Sequence, residues 1–143
     1  MILQLQNIDP QRIAAIDSNG DQLAYADITL LSQQISTNIP NRALCFLLVE
    51  NNIGGIAWTM SMLESQQLVP LILNVKTEDT LYQQLLDTYQ PSYICAPSYI
   101  TLKGEVIDSQ FGYQLCKVSD NHCVLHPELS HLLPTSGSTG SPK

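Results

Sequence analysis

Residues 132–143 read LLPTSGSTGSPK, an apolar entry followed by a dense run of hydroxyls and glycines with one proline and one lysine. Gly137 and Gly140 permit φ > 0 and close backbone approach, so successive N–H groups can turn toward one anion. Thr135, Ser136, Ser138, Thr139 and Ser141 add hydroxyl donors, and Lys143 adds a mobile positive charge. Together these groups suit a loop that wraps a polyphosphate. A flexible Gly/Ser tail has similar composition, but a tail needs neither the Pro142-Lys143 ending nor an apolar run feeding it. The spacing G-x-x-G-x-P-K also lacks the Gly-Lys-Ser/Thr close of a Walker loop.

Other chemically capable groups crowd the last third of the chain without forming a pattern. Cys116, His122, Cys123, His126 and His131 include no C-x-x-C, and His122 and Cys123, adjacent on a strand, would face opposite sides. No metal site is expected from them. Ser136 or Cys123 as a nucleophile lacks a G-x-S-x-G elbow, and the sequence places no base beside either. Glu78 and Asp79 suit the first turn of a helix, where carboxylates complement the dipole. No catalytic residue is expected in this stretch of chain.

A phosphate loop needs a scaffold, and the periodicity upstream supplies one. Asn19-Gly20 between the apolar runs Ile13–Ile16 and 22–25 predicts an opening β-hairpin. Residues 26–39 change to helical spacing through Ile28, Leu31 and Ile35, with Asp27 as an N-cap or first-turn acid and Pro40 ending the run. Ala43–Val49 is apolar on both faces and predicts a central strand of a parallel sheet. Asn51 or Asn52 then caps a helix over 53–67, in which Gly54-Gly55 serves close packing rather than backbone approach to a ligand. Residues 69–73 predict a second strand, 78–90 a helix capped by Thr77 and stopped by Pro91, and 92–95 a third strand. This is a βαβαβ unit with right-handed crossovers. Period-two alternation over 104–108 and 111–118, then a turn into 122–125, predicts a small antiparallel excursion near 104–126. The strand entering the loop is expected at 131–133.

The chain has 143 residues, 44% hydrophobic and 13% charged, so it can bury a core and is not of disordered composition. Its net charge is −7 and its six basic residues are scattered, which disfavours nucleic acid as a partner. The longest apolar run falls far short of the roughly 20 residues of a membrane span, and the N-terminus lacks a signal-peptide pattern. Four unpaired cysteines (Cys45, Cys95, Cys116 and Cys123) read as reduced thiols, and cytoplasm is the default location. The low charge fraction and an uncovered sheet edge favour self-association.

Residues 135–143 closely resemble the phosphate-loop signature of the adenylate-forming enzymes, which include acyl-CoA synthetases, aryl-CoA ligases and nonribosomal peptide synthetase adenylation domains. Their pattern T-S-G-[ST]-T-G-x-P-K is matched at every fixed position, whereas Pro134 stands where an aromatic or aliphatic residue is usual. The segment from Leu23 to Ile28 is similar to the family's L-x-Y-x-[ED]-[LI], and residues 127–130 loosely follow its P-x-D-x-A. The resemblance implies an α/β fold, a partial three-layer domain with a mainly parallel sheet. It implies that residues 1–143 are the N-terminal part of a large AMP-binding domain, reaching its phosphate loop. It implies that Thr135, Ser136, Gly137, Ser138, Thr139, Gly140 and Lys143 hold the β- and γ-phosphates of Mg-ATP. A carboxylate would be activated as acyl-AMP with release of pyrophosphate and passed to a thiol, CoA or a carrier's phosphopantetheine. The other site residues would lie downstream, so these residues alone would be inactive. The alternatives are a stand-alone, non-enzymatic α/β module binding a nucleotide or protein partner, and an unrelated phosphate-loop enzyme.

Overall fold

Asn19 and Gly20 turn the chain between β1 (Ile13–Ile16) and β2 (Gln22–Ala24), an antiparallel pair with Gly20 at φ 82°. The computed structural model describes residues 7–120 and 125–134. Asp17 fixes the turn by accepting the N–H groups of Asn19 and Asp21, at 2.9 and 3.0 Å. β2 runs directly into α1 (Tyr25–Asn38). Asp27 is a first-turn acid there, its carboxylate accepting the Ala24 N–H at 2.9 Å.

The apolar run forms β3 (Ala43–Val49), followed by α2 (Ile53–Ser65), β4 (Leu68–Asn74), α3 (Asp79–Tyr89) and β5 (Tyr93–Pro97). Asn52 is the cap of α2, its Oδ1 accepting the Gly55 N–H at 3.0 Å. Thr77 does not cap α3. Its hydroxyl donates to the Asn74 carbonyl at 2.6 Å, because the β4–α3 turn closes on itself, and Glu78 occupies the cap position. Gln66 and Gln90 close α2 and α3 in the left-handed conformation.

β3 pairs in parallel with β4 on one side and β5 on the other. The chain therefore steps one way across the sheet from β3 to β4 and the opposite way from β4 to β5. Right-handed crossovers must then carry α2 and α3 over opposite faces. The two cores agree: Trp58 and Met62 of α2 pack with Cys45, Leu47 and α1 residues, while Leu85 of α3 packs with Leu44, Phe46 and Leu48. A three-layer arrangement results.

The antiparallel region differs from its expected form. β6 (Glu105–Gln110) and β7 (Tyr113–Lys117) are a hairpin, but β7 also pairs antiparallel with β5. The result is one mixed five-stranded sheet, β4-β3-β5-β7-β6, rather than a separate excursion. Phe111 and Gly112 are its turn, both at positive φ, so the strand expected over 111–118 begins at Tyr113. Of the return strand over 122–125, residues 121–124 lie outside the described residues, and Leu125 is not in a strand. The strand expected at 131–133 is a single parallel bridge from Leu132 to Leu71 on the outer side of β4.

Candidate functional site

In a doubly wound sheet the natural ligand position is the crevice outside the carboxyl ends of neighbouring strands whose connections leave over opposite faces. β3 and β4 are such a pair here. A crevice of about 480 Å³ opens at that point, lined by Glu50 and Asn51 after β3, Asn74, Val75 and Lys76 from β4 onward, and Tyr99 after β5.

One wall of this crevice is held by a polar network. The Tyr99 hydroxyl donates to Glu50 Oε1, and Asn52 Nδ2 donates to Glu50 Oε2 at 3.2 Å. The Tyr113 hydroxyl accepts the Glu50 N–H and donates to Asn52 Oδ1, both at 2.9 Å. Burial pushes the Tyr113 hydroxyl above its ordinary pKa, with the Glu50 N–H drawing it partly back. It therefore stays a neutral donor at neutral pH. Two tyrosines from beyond β5 thus fix the turn between β3 and α2. Sequence reading offered Asn51 or Asn52 as the cap and none of the other partners, because those lie about 50 to 60 positions away.

The candidate loop is approached from the other side. Leu132 donates to the Pro70 carbonyl at 2.8 Å and accepts the Ile72 N–H at 3.0 Å. Because this bridge is parallel, the chain leaves Leu132 toward the carboxyl end of β4, the end that bears the crevice. Arg42 secures the incoming segment: Nε donates to the Gln66 carbonyl at 3.1 Å, Nη1 to that of His126 at 2.8 Å, and Nη2 to that of Leu129. The predicted phosphate-binding residues Thr135, Ser136, Gly137, Ser138, Thr139, Gly140 and Lys143 lie outside the described residues. The structure describes the chain up to Pro134.

Gly54 and Gly55 are packing glycines, as expected. A β-carbon on Gly54 would stand 2.4 Å from the Phe111 carbonyl oxygen and from the Tyr113 ring, and one on Gly55 would stand 2.6 Å from the Glu50 carbonyl oxygen. Cys45, Cys95 and Cys116 are free and buried, while Cys123 lies outside the described residues. Among the described residues no group of three or more His, Cys, Asp or Glu side chains could hold a metal ion. His126 Nδ1 accepts the Glu128 N–H at 3.1 Å, and His131 Nδ1 lies 2.8 Å from the Ser130 hydroxyl. No helix among the described residues is long and apolar enough to cross a membrane.

No protein-family model matches the chain, and no curated protein matches it in sequence. Its fold is similar to that of the Klebsiella oxytoca NpsA N-terminal subdomain, solved in complex with 3-hydroxybenzoyl-AMSN and with 3-hydroxyanthranilyl-AMSN. Each comparison gives a TM-score of 0.63 at 16% identity and covers 97% of this chain. At that identity the likeness establishes the fold. The chain spans 37% of the length of those structures.

Proposed function

We propose that this chain is the N-terminal part of an adenylate-forming ligase, with residues 135–143 as its phosphate loop. The observation that carries the reading is the parallel docking of Leu132 on β4. It sends an apolar lead-in toward the carboxyl end of the sheet immediately before a T-S-G-S-T-G-S-P-K sequence. Support also comes from the fold likeness to the NpsA N-terminal subdomain, which was solved with 3-hydroxybenzoyl-AMSN and with 3-hydroxyanthranilyl-AMSN.

In this reading the hydroxyls and N–H groups of Thr135 to Gly140, with the Lys143 ammonium, orient the β- and γ-phosphates of ATP. They stabilise the charge that develops on departing pyrophosphate. Mg²⁺ bound with the nucleotide would supply further charge neutralisation. The carboxylate substrate and the thiol acceptor, CoA or phosphopantetheine, are held by the remainder of such an enzyme. The three unpaired buried thiols, Cys45, Cys95 and Cys116, support a reducing compartment such as the cytoplasm.

Carboxylate-dependent ATP–pyrophosphate exchange tests the proposal. A polypeptide continuing past Lys143 should exchange, Lys143→Ala should reduce the rate, and residues 1–143 alone should show none. Exchange by residues 1–143 alone would overturn the partial-site reading. Tight Mg-ATP binding without exchange in either polypeptide would favour the non-enzymatic module instead. Residues 1–143 alone should also self-associate along β6, the terminal strand of the sheet. A strictly monomeric sedimentation profile at high concentration counts against that.

A further inference from the structure

We infer that the β3–β4 crevice is a second anion position, in which Lys76 and the Asn74 carboxamide receive the terminal phosphoryl oxygens of a polyphosphate. Two of the chain's other cations are already committed, Arg42 to three carbonyls and Lys117 to Asp120 at 2.8 Å. Lys76 makes no ion pair among the described residues, although Glu50 lines the same crevice. Glu50 is instead hydrogen-bonded at one oxygen by Tyr99 and at the other by Asn52. The Lys76 ammonium thus stands in the crevice without a direct carboxylate contact among the described residues.

The local backbone presents Lys76 for this role. Asn74 Oδ1 accepts the Lys76 N–H at 2.8 Å, and the Asn74 carbonyl accepts both the N–H and the hydroxyl of Thr77. The Asn74 side-chain NH₂ makes no hydrogen bond among the described residues and remains a donor. One cation and one neutral donor on a tight turn suit an oxygen-rich anion better than a neutral ligand. The turn also lies at the end of the strand along which Leu132 arrives. Choosing a polyphosphate rather than a carboxylate rests on the proposed phosphate loop.

The test is a ¹⁵N–¹H NMR titration of residues 1–143 with sodium pyrophosphate at low ionic strength, repeated with Lys76→Gln, Lys76→Arg and Lys143→Gln. The Asn74, Val75 and Lys76 amides should shift saturably. Lys76→Gln should weaken that response roughly tenfold, as loss of one charge-assisted contact does, and Lys76→Arg should retain it. Shifts at Gly137 and Gly140 with none at residues 74–76 would overturn this inference and leave the phosphate-loop reading standing. Shifts at residues 74–76 that vanish in Lys76→Gln, with none at Gly137 and Gly140, would uphold the second site and sink the loop. Equal midpoints for sulfate and pyrophosphate would overturn the polyphosphate assignment. Lys76 is exposed, so its variants should keep the dispersed spectrum of the folded chain.

Discussion

The ring of Tyr113 occupies the space where a β-carbon on Gly54 would stand, 2.4 Å from two of its ring carbons. The first turn of α2 can therefore lie against β7, which lets the Tyr113 hydroxyl reach the Glu50 N–H and the Asn52 cap.

Gly54→Ala should be destabilising despite alanine's better helix propensity. One neighbour of the added carbon is the Phe111 carbonyl oxygen, a backbone atom that cannot rotate away. Overpacking of this kind costs about 1–3 kcal/mol, against about 1 kcal/mol gained in propensity. Urea denaturation should show a lower midpoint at unchanged slope. Tyr113→Phe, which leaves the Glu50 N–H unpaired, should lose about 1–2 kcal/mol. A midpoint at or above that of the parent chain in either variant would contradict the packing described.

Cys45 and Cys95 should resist alkylation in the native state and react only on unfolding. Burial pushes both thiols well above their ordinary value of 9.0. The folded-state pKa is raised, so their contribution to stability is complete below the unfolded value and is lost as pH rises above it. Past about pH 9 the unfolded state releases these protons and the folded state keeps them, so stability should fall by about 1.4 kcal/mol per pH unit per thiol. Urea midpoints between pH 8 and 10, compared with Cys45→Ala/Cys95→Ala, measure this. A parent chain with no steeper decline than the double variant would refute it.

Arg42→Lys should loosen the segment leading to the candidate loop. A lysine cannot span the Gln66, His126 and Leu129 carbonyls that the guanidinium fork reaches together. The expected loss is about 2 kcal/mol, with faster protease cleavage among residues 126–131 than elsewhere. Unchanged cleavage there would mean the clamp is not needed in solution.

What the sequence disclosed follows from the range of each interaction. The β3 bounds were legible because seven apolar residues between Arg42 and Glu50 have no other use than burial on both faces. The β1–β2 turn was legible because Asn19-Gly20 acts locally. The partner of β7 was not, since alternation shows that a strand has one buried face but not which strand lies beside it. Thr77 misled because a hydroxyl before a helix can serve either the cap or the preceding turn. The candidate loop's chemistry was plain in Thr135 to Lys143, whereas the crevice was invisible. It joins Glu50, Asn74 and Tyr99 through topology alone.

Leu132→Pro isolates the bridge on which the functional reading turns. Proline removes the N–H that Leu132 donates to Pro70, whereas Leu132→Ala keeps that donor and removes only half-buried side-chain contacts with the α3-side core. Both variants should lose about 1–2 kcal/mol, one through a backbone bond and the other through apolar burial. They should separate at Ile72, whose N–H is held by the Leu132 carbonyl. Amide hydrogen exchange at Ile72 should quicken more than tenfold in Leu132→Pro and much less in Leu132→Ala, since a tenfold change corresponds to about 1.4 kcal/mol. In a polypeptide continuing past Lys143, Leu132→Pro should depress ATP–pyrophosphate exchange more than Leu132→Ala at equal stability, because it misdirects the loop rather than merely weakening the core. Equal exchange at Ile72 in the two variants would mean that β4 does not guide residues 135–143, and the phosphate-loop reading would lose the observation that carries it.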